Sequence, residues 1–292
     1  MAANFFCKFI LSYMRHLLSM KRLALGGALA LLVSSGNAQN TAPCGFVNTA
    51  QNTQRILSLH STQGAGSPAP LKCLNKTLSV AIHIVTDSLN NPNITQQQIN
   101  DGLDTLNHDF APICLRFKIC SQDTIYSYKY YRFDKQLETP EVESIYSVQN
   151  IINVYIVGSI VNPGVAGFAS PTANYAVLSH GCVTDYKCWS HEMGHFFSLL
   201  HTFETSNGNE FVNETNCATT GDLICDTRAD IDPAPISGCQ WNGTNQDANG
   251  DYYTPIIGNI MSYHPSSCKT PFTVGQLNQM LNYFITYRNY LF

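Results

Sequence analysis

Charge is scarce in this chain of 292 residues: only 12% are Asp, Glu, Lys or Arg, and the net charge is −4. No block or stripe of Lys and Arg stands out, so the electrostatic footprint of nucleic-acid binding is missing. No internal repeat is present, which excludes solenoids and propellers. After the N-terminal portion no apolar run reaches the length that spans a bilayer. No two cysteines form a C-x-x-C pair, which argues against a Cys-type structural zinc site. What remains is a folded, non-repetitive chain, long enough for one large domain or two small ones.

Cysteine itself is abundant, with eleven residues. Cys7 lies in a segment expected to be absent from the mature chain. Ten remain: Cys44, Cys73, Cys114, Cys120, Cys182, Cys188, Cys217, Cys225, Cys239 and Cys268. An even, dispersed set suits disulfides in an oxidising compartment. The N-terminus agrees. Met20-Lys21-Arg22 is a basic start, Leu23 to Val33 is apolar, and Gly36-Asn37-Ala38 offers small residues for cleavage, which together read as a secretory signal. Residues 1–38 are therefore read as an N-terminal extension plus signal peptide, with Met20 the true start. An uncleaved anchor is the alternative, but the run after Arg22 is too short to span. Residues 39–75, rich in Ser, Thr, Gln, Pro and Gly, read as a propeptide or N-terminal extension, with 64–70 as loop. Residues 76–292 read as one folded domain.

Within that domain Ser79 to Val85 reads as a buried strand, with His83 a packed residue. Thr95 caps a helix to about Phe110, with Ile99, Leu103, Leu106 and Phe110 on one face. Strands follow at 113–119, 151–157 and within 174–183. His180 reads as a polar residue on an edge strand. This order predicts a mixed sheet carrying helices. Periodicity then fades over 202–258, as in a loop-rich subdomain held by disulfides. Asp247 to Asp251 places oxygen ligands at alternate positions, as calcium loops do, but lacks the rest of an EF-hand and reads better as an acidic turn. Phe272 to Tyr287 reads as a closing helix. Asn75, Asn93, Asn213 and Asn242 lie in glycosylation sequons.

The stretch that organises the chain is Trp189 to His201. His191 and His195, four apart on a helix, place two imidazoles on one face. Glu192 stands beside the first of them, where its carboxylate reaches a metal-bound water without binding the metal. Trp189, Met193, Phe196 and Leu200 form an apolar stripe that anchors the helix. His201 is out of phase and ligates only if the chain turns sharply after about Ser198. Three His ligands leave a tetrahedral zinc one open position, the catalytic arrangement.

His191-Glu192-x-x-His195-x-x-Ser198-x-x-His201 resembles the long zinc motif of the metzincin metalloproteases. Asn259-Ile260-Met261-Ser262-Tyr263 resembles their Met-turn. Gly221 to Thr227, Leu200 to Phe203, and Cys268-x-x-x-Phe272-Thr273-x-Gly275-Gln276 are similar to segments of one metzincin family, the pappalysins. The resemblance implies an α+β fold: a mixed twisted sheet with the active-site helix above the cleft, and a loop-rich, disulfide-bonded lower subdomain carrying the Met-turn and the C-terminal helix. It implies a secreted zinc endopeptidase with His191, His195 and His201 as ligands and Glu192 as general base and acid. Tyr263 is then an oxyanion donor or a packed turn aromatic, and Met261 packs beneath the ligands. It implies the disulfides Cys217–Cys239 and Cys225–Cys268. Cys44-Gly45 resembles a Cys-Gly element of pappalysin prosegments, so Cys44 is either a latency ligand to zinc or half of a disulfide, for example with Cys73.

Two departures from the family pattern stand out. Metzincins have Gly where this chain has Ser198, and a left-handed Ser costs about 1–2 kcal/mol more. Ser267 replaces an acidic residue that accompanies arginine preference, so that preference is not carried over. The expected cofactor is one zinc ion, with calcium second. The expected partner is a protein or peptide substrate; no nucleic acid or stable membrane insertion is expected, and a monomer is. The competing function is a non-catalytic secreted binding protein stabilised by zinc, for which Glu192 has no use.

Overall fold

The computed structural model describes residues 44–60, 70–162, 164–185 and 187–292. The signal-peptide reading lies outside these residues, as does most of the 64–70 loop. Element order is α1 (Ala50–His60), β1 (Lys76–Val85), α2 (Gln96–Phe110), β2 (Leu115–Ile125), β3 (Arg132–Asp134), α3 (Lys135–Tyr146), β4 (Ile152–Val157), β5 (Ser159–Asn162), β6 (Gly164–Val165), β7 (Gly167–Ala169), β8 (Tyr175–Ser179), α4 (His180–Thr184), α5 (Cys188–Phe196) and α6 (Val274–Tyr283).

Five strands form the main sheet in the order β2-β1-β4-β8-β7. The first four run parallel, and β7 pairs antiparallel with β8 as an edge. A parallel strand covered on both faces should read as a nearly continuous apolar run. β1 does so: every residue from Val80 to Val85 is buried, His83 included. Alternate residues serve opposite faces. Leu78, Val80, Ile82, Val154 and Ile156 pack against Ile99, Leu106, Phe110, Trp189, Met193 and Phe196 of α2 and α5. Val85, Tyr155, Val157 and Val177 face the other way, onto Tyr130, Phe133 and Val142.

Helix α2 begins where Thr95 predicts. Its hydroxyl accepts from the Gln98 N–H, and the Gln98 side chain accepts from the Thr95 N–H. Such a capping box contributes about 1 kcal/mol. The C-terminal helix repeats the device with Thr273 and Gln276, but it starts at Val274 rather than Phe272. Its last turn, Phe284–Arg288, is π-helical. From Thr202 to α6 regular structure shrinks to a two-residue ribbon, Ile236–Ser237 with Gln240–Trp241, and a 3-10 turn at Ser266–Cys268. His180 is not on an edge strand. Ser179 ends β8 and caps α4 by accepting from the Cys182 N–H, which makes His180 the first helical residue.

The disulfide expectation is corrected. Cys217 pairs with Cys225 and Cys239 with Cys268. Turns between Cys217 and Cys225, including left-handed Gly221 and Leu223, fold the chain back and bring their Cα atoms to 5.0 Å. The family-like order of cysteines therefore does not carry the family-like pairing. Cys73 pairs with Cys114, Cys182 with Cys188, and Cys120 is also disulfide-bonded. Cys44 is free, so the Cys44–Cys73 alternative is excluded.

Candidate metal and active site

Helix α5 holds the centre because its apolar side is fully committed. Trp189, Met193 and Phe196 are buried in the main core, which turns His191 and His195 to the opposite side. Gly194 lies where the helix meets the Met-turn. A Cβ there would stand 2.5 Å from the Met261 sulfur, so only glycine allows this approach. The helix ends at Phe196, and Ser198 adopts φ +73, the left-handed turn that the spacing to His201 demands. Ser198 N–H donates back to His195 and Leu199 N–H to Gly194, satisfying the helix's last carbonyls.

That turn brings three imidazoles together. The Nε2 atoms of His191 and His201 each lie 3.1 Å from His195 Nε2. His191 Nδ1 meets the Ile260 carbonyl at 2.7 Å, and His195 Nδ1 meets the Leu199 carbonyl at 2.7 Å. A carbonyl only accepts, so both Nδ1 atoms carry the proton and both Nε2 lone pairs face inward. Burial drives all three imidazoles toward the neutral form, His195 down to about 3. Lone pairs converging at such distances repel one another unless a cation sits between them. The donor set fits zinc, and neutral imidazole fixed by a carbonyl at its other nitrogen is how histidine binds it.

Glu192 is fully buried beside this cluster. Burial raises its pKa to about 8, and one carboxylate oxygen has no partner. Its other oxygen accepts from the Cys44 thiol at 3.4 Å. The Cys44 sulfur completes a four-residue group with His191, His195 and His201. Burial and the Glu192 charge hold this thiol protonated. Cys182 and Cys188 also lie within reach of Glu192, but they are bonded to each other and offer no free thiolate.

The residues around Cys44 occupy the site as a strand would. Gly45 N–H donates to Gly167 on edge strand β7 at 2.7 Å. Lys135 donates to the Gly45 carbonyl. Phe46 stacks on the His195 ring at 3.9 Å. The Tyr263 hydroxyl accepts from Cys44 N–H and donates to its carbonyl, both at 3.0 Å. Below, Asp230 ties the loop after His201 to the loop after Met261: Thr202 and Ser262 hydroxyls both donate to it at 2.7 Å.

The sequence comparisons bear on this geometry directly. Residues 142–285 match the peptidase M43 family, described as pregnancy-associated plasma protein-A. An extracellular metalloprotease of Neurospora crassa is 25% identical over 288 residues, covering 91% of this chain and 96% of that protein. One from Arthroderma gypseum is 25% identical over 277 residues, covering 88% and 85%. These matches support a zinc metalloprotease of the M43, or pappalysin, type. The protease shares its metzincin-like fold with mirolysin, at a TM-score of 0.53 and 19% identity over 77% of this chain and 96% of that one. Promirolysin of Tannerella forsythia also gives 0.53, at 16% identity, over 85% and 95%.

Several contacts of the protease's site had no sequence signal. Phe46, Lys135 and Lys269 come from loops or helix ends without a motif, and the Cys182–Cys188 pairing could not be chosen from spacing. Asp247 is an acidic turn, as its sequence suggests. Its carboxylate accepts the N–H groups of Asn249, Asp251 and Val212.

Proposed function

We propose that the chain is a secreted zinc endopeptidase and that residues 44–60 hold it latent. The observation that carries this reading is the convergence of three neutral imidazoles with Glu192 at their side and the Cys44 thiol closing the group. His191, His195 and His201 would hold zinc through Nε2. When bound, zinc supplies Lewis acidity, polarising the scissile carbonyl and lowering the pKa of water toward about 7. Glu192 takes the proton of the attacking water and returns it to the leaving amine. A buried carboxyl, which desolvation pushes up and a bound cation would draw back down, is suited to both transfers. The Tyr263 hydroxyl, which here donates to the Cys44 carbonyl, would donate to the oxyanion of a substrate in its place. Met261 supports the ligands from below without binding metal.

Latency follows from the same contacts. The Cys44 sulfur stands at the open ligand position, and Phe46 covers His195. Secretion is supported by the extracellular names of the relatives and by the disulfides, which persist in oxidising compartments. Among the described residues no helix is long and apolar enough to cross a membrane. The partner is a protein or peptide substrate, and the working unit is a monomer. If calcium binds, Glu210 is a better ligand than Asp247, whose carboxylate is taken up by backbone N–H groups. Both Glu210 oxygens are buried without a hydrogen-bond partner, and Gly221 leaves them room where a Cβ would stand 2.6 Å away. Asp222 lies beside them, and burial together with the Glu210 charge raises its pKa well above the ordinary carboxyl value.

The test is hydrolysis of an unfolded protein by zinc-loaded enzyme, with and without a chelator, in three forms. Chelator-sensitive cleavage should rise when Cys44 becomes Ala. It should vanish in Glu192→Ala while zinc content holds. Peptidase activity retained in Glu192→Ala would sink the mechanism; a zinc-bound Cys44→Ala protein that cuts nothing would leave a binding protein instead.

A further inference from the structure

Two ammonium groups stand close to the catalytic centre, and among the described residues neither forms an ion pair with Asp or Glu within 4.0 Å. Lys135, on the upper side, donates to the Gly45 carbonyl and lies 5.1 Å from the centre of the Phe168 ring. Lys269 follows Cys268 in the loop beyond the Met-turn. Its ammonium is turned inward, donating to the Ile260 carbonyl at 2.9 Å and the Ser262 carbonyl at 3.0 Å. Ile260 O is the same acceptor that fixes His191. Lys269 is thus one shared atom away from a ligand of the triad.

The nearest acids act on Lys269 from a distance: Asp185 is the stronger and Glu192 the second, and neither reaches it within 4.0 Å. Asp185 accepts from the Ser266 hydroxyl at 2.6 Å and the Lys187 N–H at 3.1 Å. Glu192 belongs to the reaction. Burial brings the Lys269 pKa down to about 8, outweighing the attraction of Asp185 and Glu192. Two backbone carbonyls could be bridged by any neutral double donor. An ammonium in that place adds a desolvation cost that a counter-charge would offset.

Resting on the peptidase reading above, we propose that Lys269 selects substrates carrying an Asp or Glu side chain directly beside the scissile bond. The substrate carboxylate supplies the contact ion pair that Asp185 and Glu192 do not form with Lys269. Lys135 has a different part. Its partner is a backbone carbonyl, which every peptide offers, so it positions the substrate without selecting the sequence.

The experiment uses the zinc-loaded Cys44→Ala protein and a peptide series on one scaffold, with Asp, Glu, Ala or Lys at each position flanking the cut. The readout is the ratio of kcat/KM between acidic and Ala peptides, in which general losses cancel. At one of the two flanking positions the ratio should be roughly tenfold or more, with Lys poorest. Lys269→Gln should bring it near one, Lys269→Arg should keep it, and Lys269→Glu should favour Lys. Lys135→Gln should slow all peptides alike. A parent enzyme indifferent to the acid, or acid preference surviving in Lys269→Gln, overturns the proposal. If the parent cuts no peptide and no protein, the peptidase reading itself fails. Should Lys269→Gln not fold, the parent's ratio and that of Lys269→Arg still decide.

Discussion

Ser198 shows what one residue can cost and still be kept. At φ +73 it holds the conformation glycine adopts freely, and without that turn His201 would point away from His191 and His195. The surroundings enforce it: Ser198 is fully buried, and its N–H and that of Leu199 both close back on the helix. Among the described residues, the polar return on its hydroxyl is a long contact from Gln279 at 3.5 Å. Ser198→Gly should therefore stabilise the zinc-loaded protein by about 0.5–1 kcal/mol, the relieved strain exceeding the added chain entropy of glycine. Chemical denaturation measures this, and a loss of stability would mean that the hydroxyl matters more than the backbone. The same position was visible in the sequence, because the helical phase of His191 and His195 leaves His201 no other route to them.

Strand β1 shows what a whole element can hide. Its apolar run is plain in the sequence, yet His83 sits buried in the middle of it. The neighbouring strands explain why. Asp123 lies opposite on β2 and meets Nδ1 at 2.8 Å; the Asn153 side-chain oxygen from β4 meets Nε2 at 3.1 Å; and the Tyr155 ring stacks at 4.7 Å. His83→Leu should destabilise the fold by about 1–3 kcal/mol, because Asp123 loses its only ring partner and Asn153 keeps a buried oxygen with fewer donors. Thermal or denaturant unfolding of the two proteins checks it; a neutral result would show that water takes the place of the ring. Other elements were less legible. Helix α3 contains Pro140 and no clean apolar stripe, and α1 is mostly polar, with Ile56 its fully buried apolar residue. Both are helices because of what they dock against.

At the scale of the molecule, segment 44–60 is bound along its length rather than at one sulfur. Ile56 packs with Leu200 and Leu223. Arg55 donates to Tyr283, Asn48 to Ser206 and Thr53 to Asn207. The lower part carries a separate electrostatic load. Burial, with Glu214 and Asp230 nearby, raises the Glu210 pKa to about 8. Its ordinary value is 4.5, so between these values the folded carboxyl holds a proton that the unfolded chain releases. In metal-free protein the stability contributed by this group should fall as pH rises from about 4.5 to 8. Glu210→Gln should flatten that slope, and millimolar calcium should offset it by neutralising the carboxylates in place of the proton. Melting temperature against pH, for the two proteins with and without calcium, decides. A wild-type slope unchanged in Glu210→Gln would remove Glu210 from the account.

The residues of the sequence alone determined the helix that carries His191 and His195, the sharp turn after it, the buried central strand and the capped helix before β2. Each depends on local periodicity, on capping chemistry or on a spacing that geometry can satisfy in one way. Tertiary structure alone decided the pairing of Cys217 with Cys225 and of Cys239 with Cys268, the docking of Phe46 on His195, and the approach of Lys135 and Lys269 to the centre. These join residues far apart in the chain through loops without a repeat. Which partner is nearest depends on how the loops pack, and no local pattern encodes that.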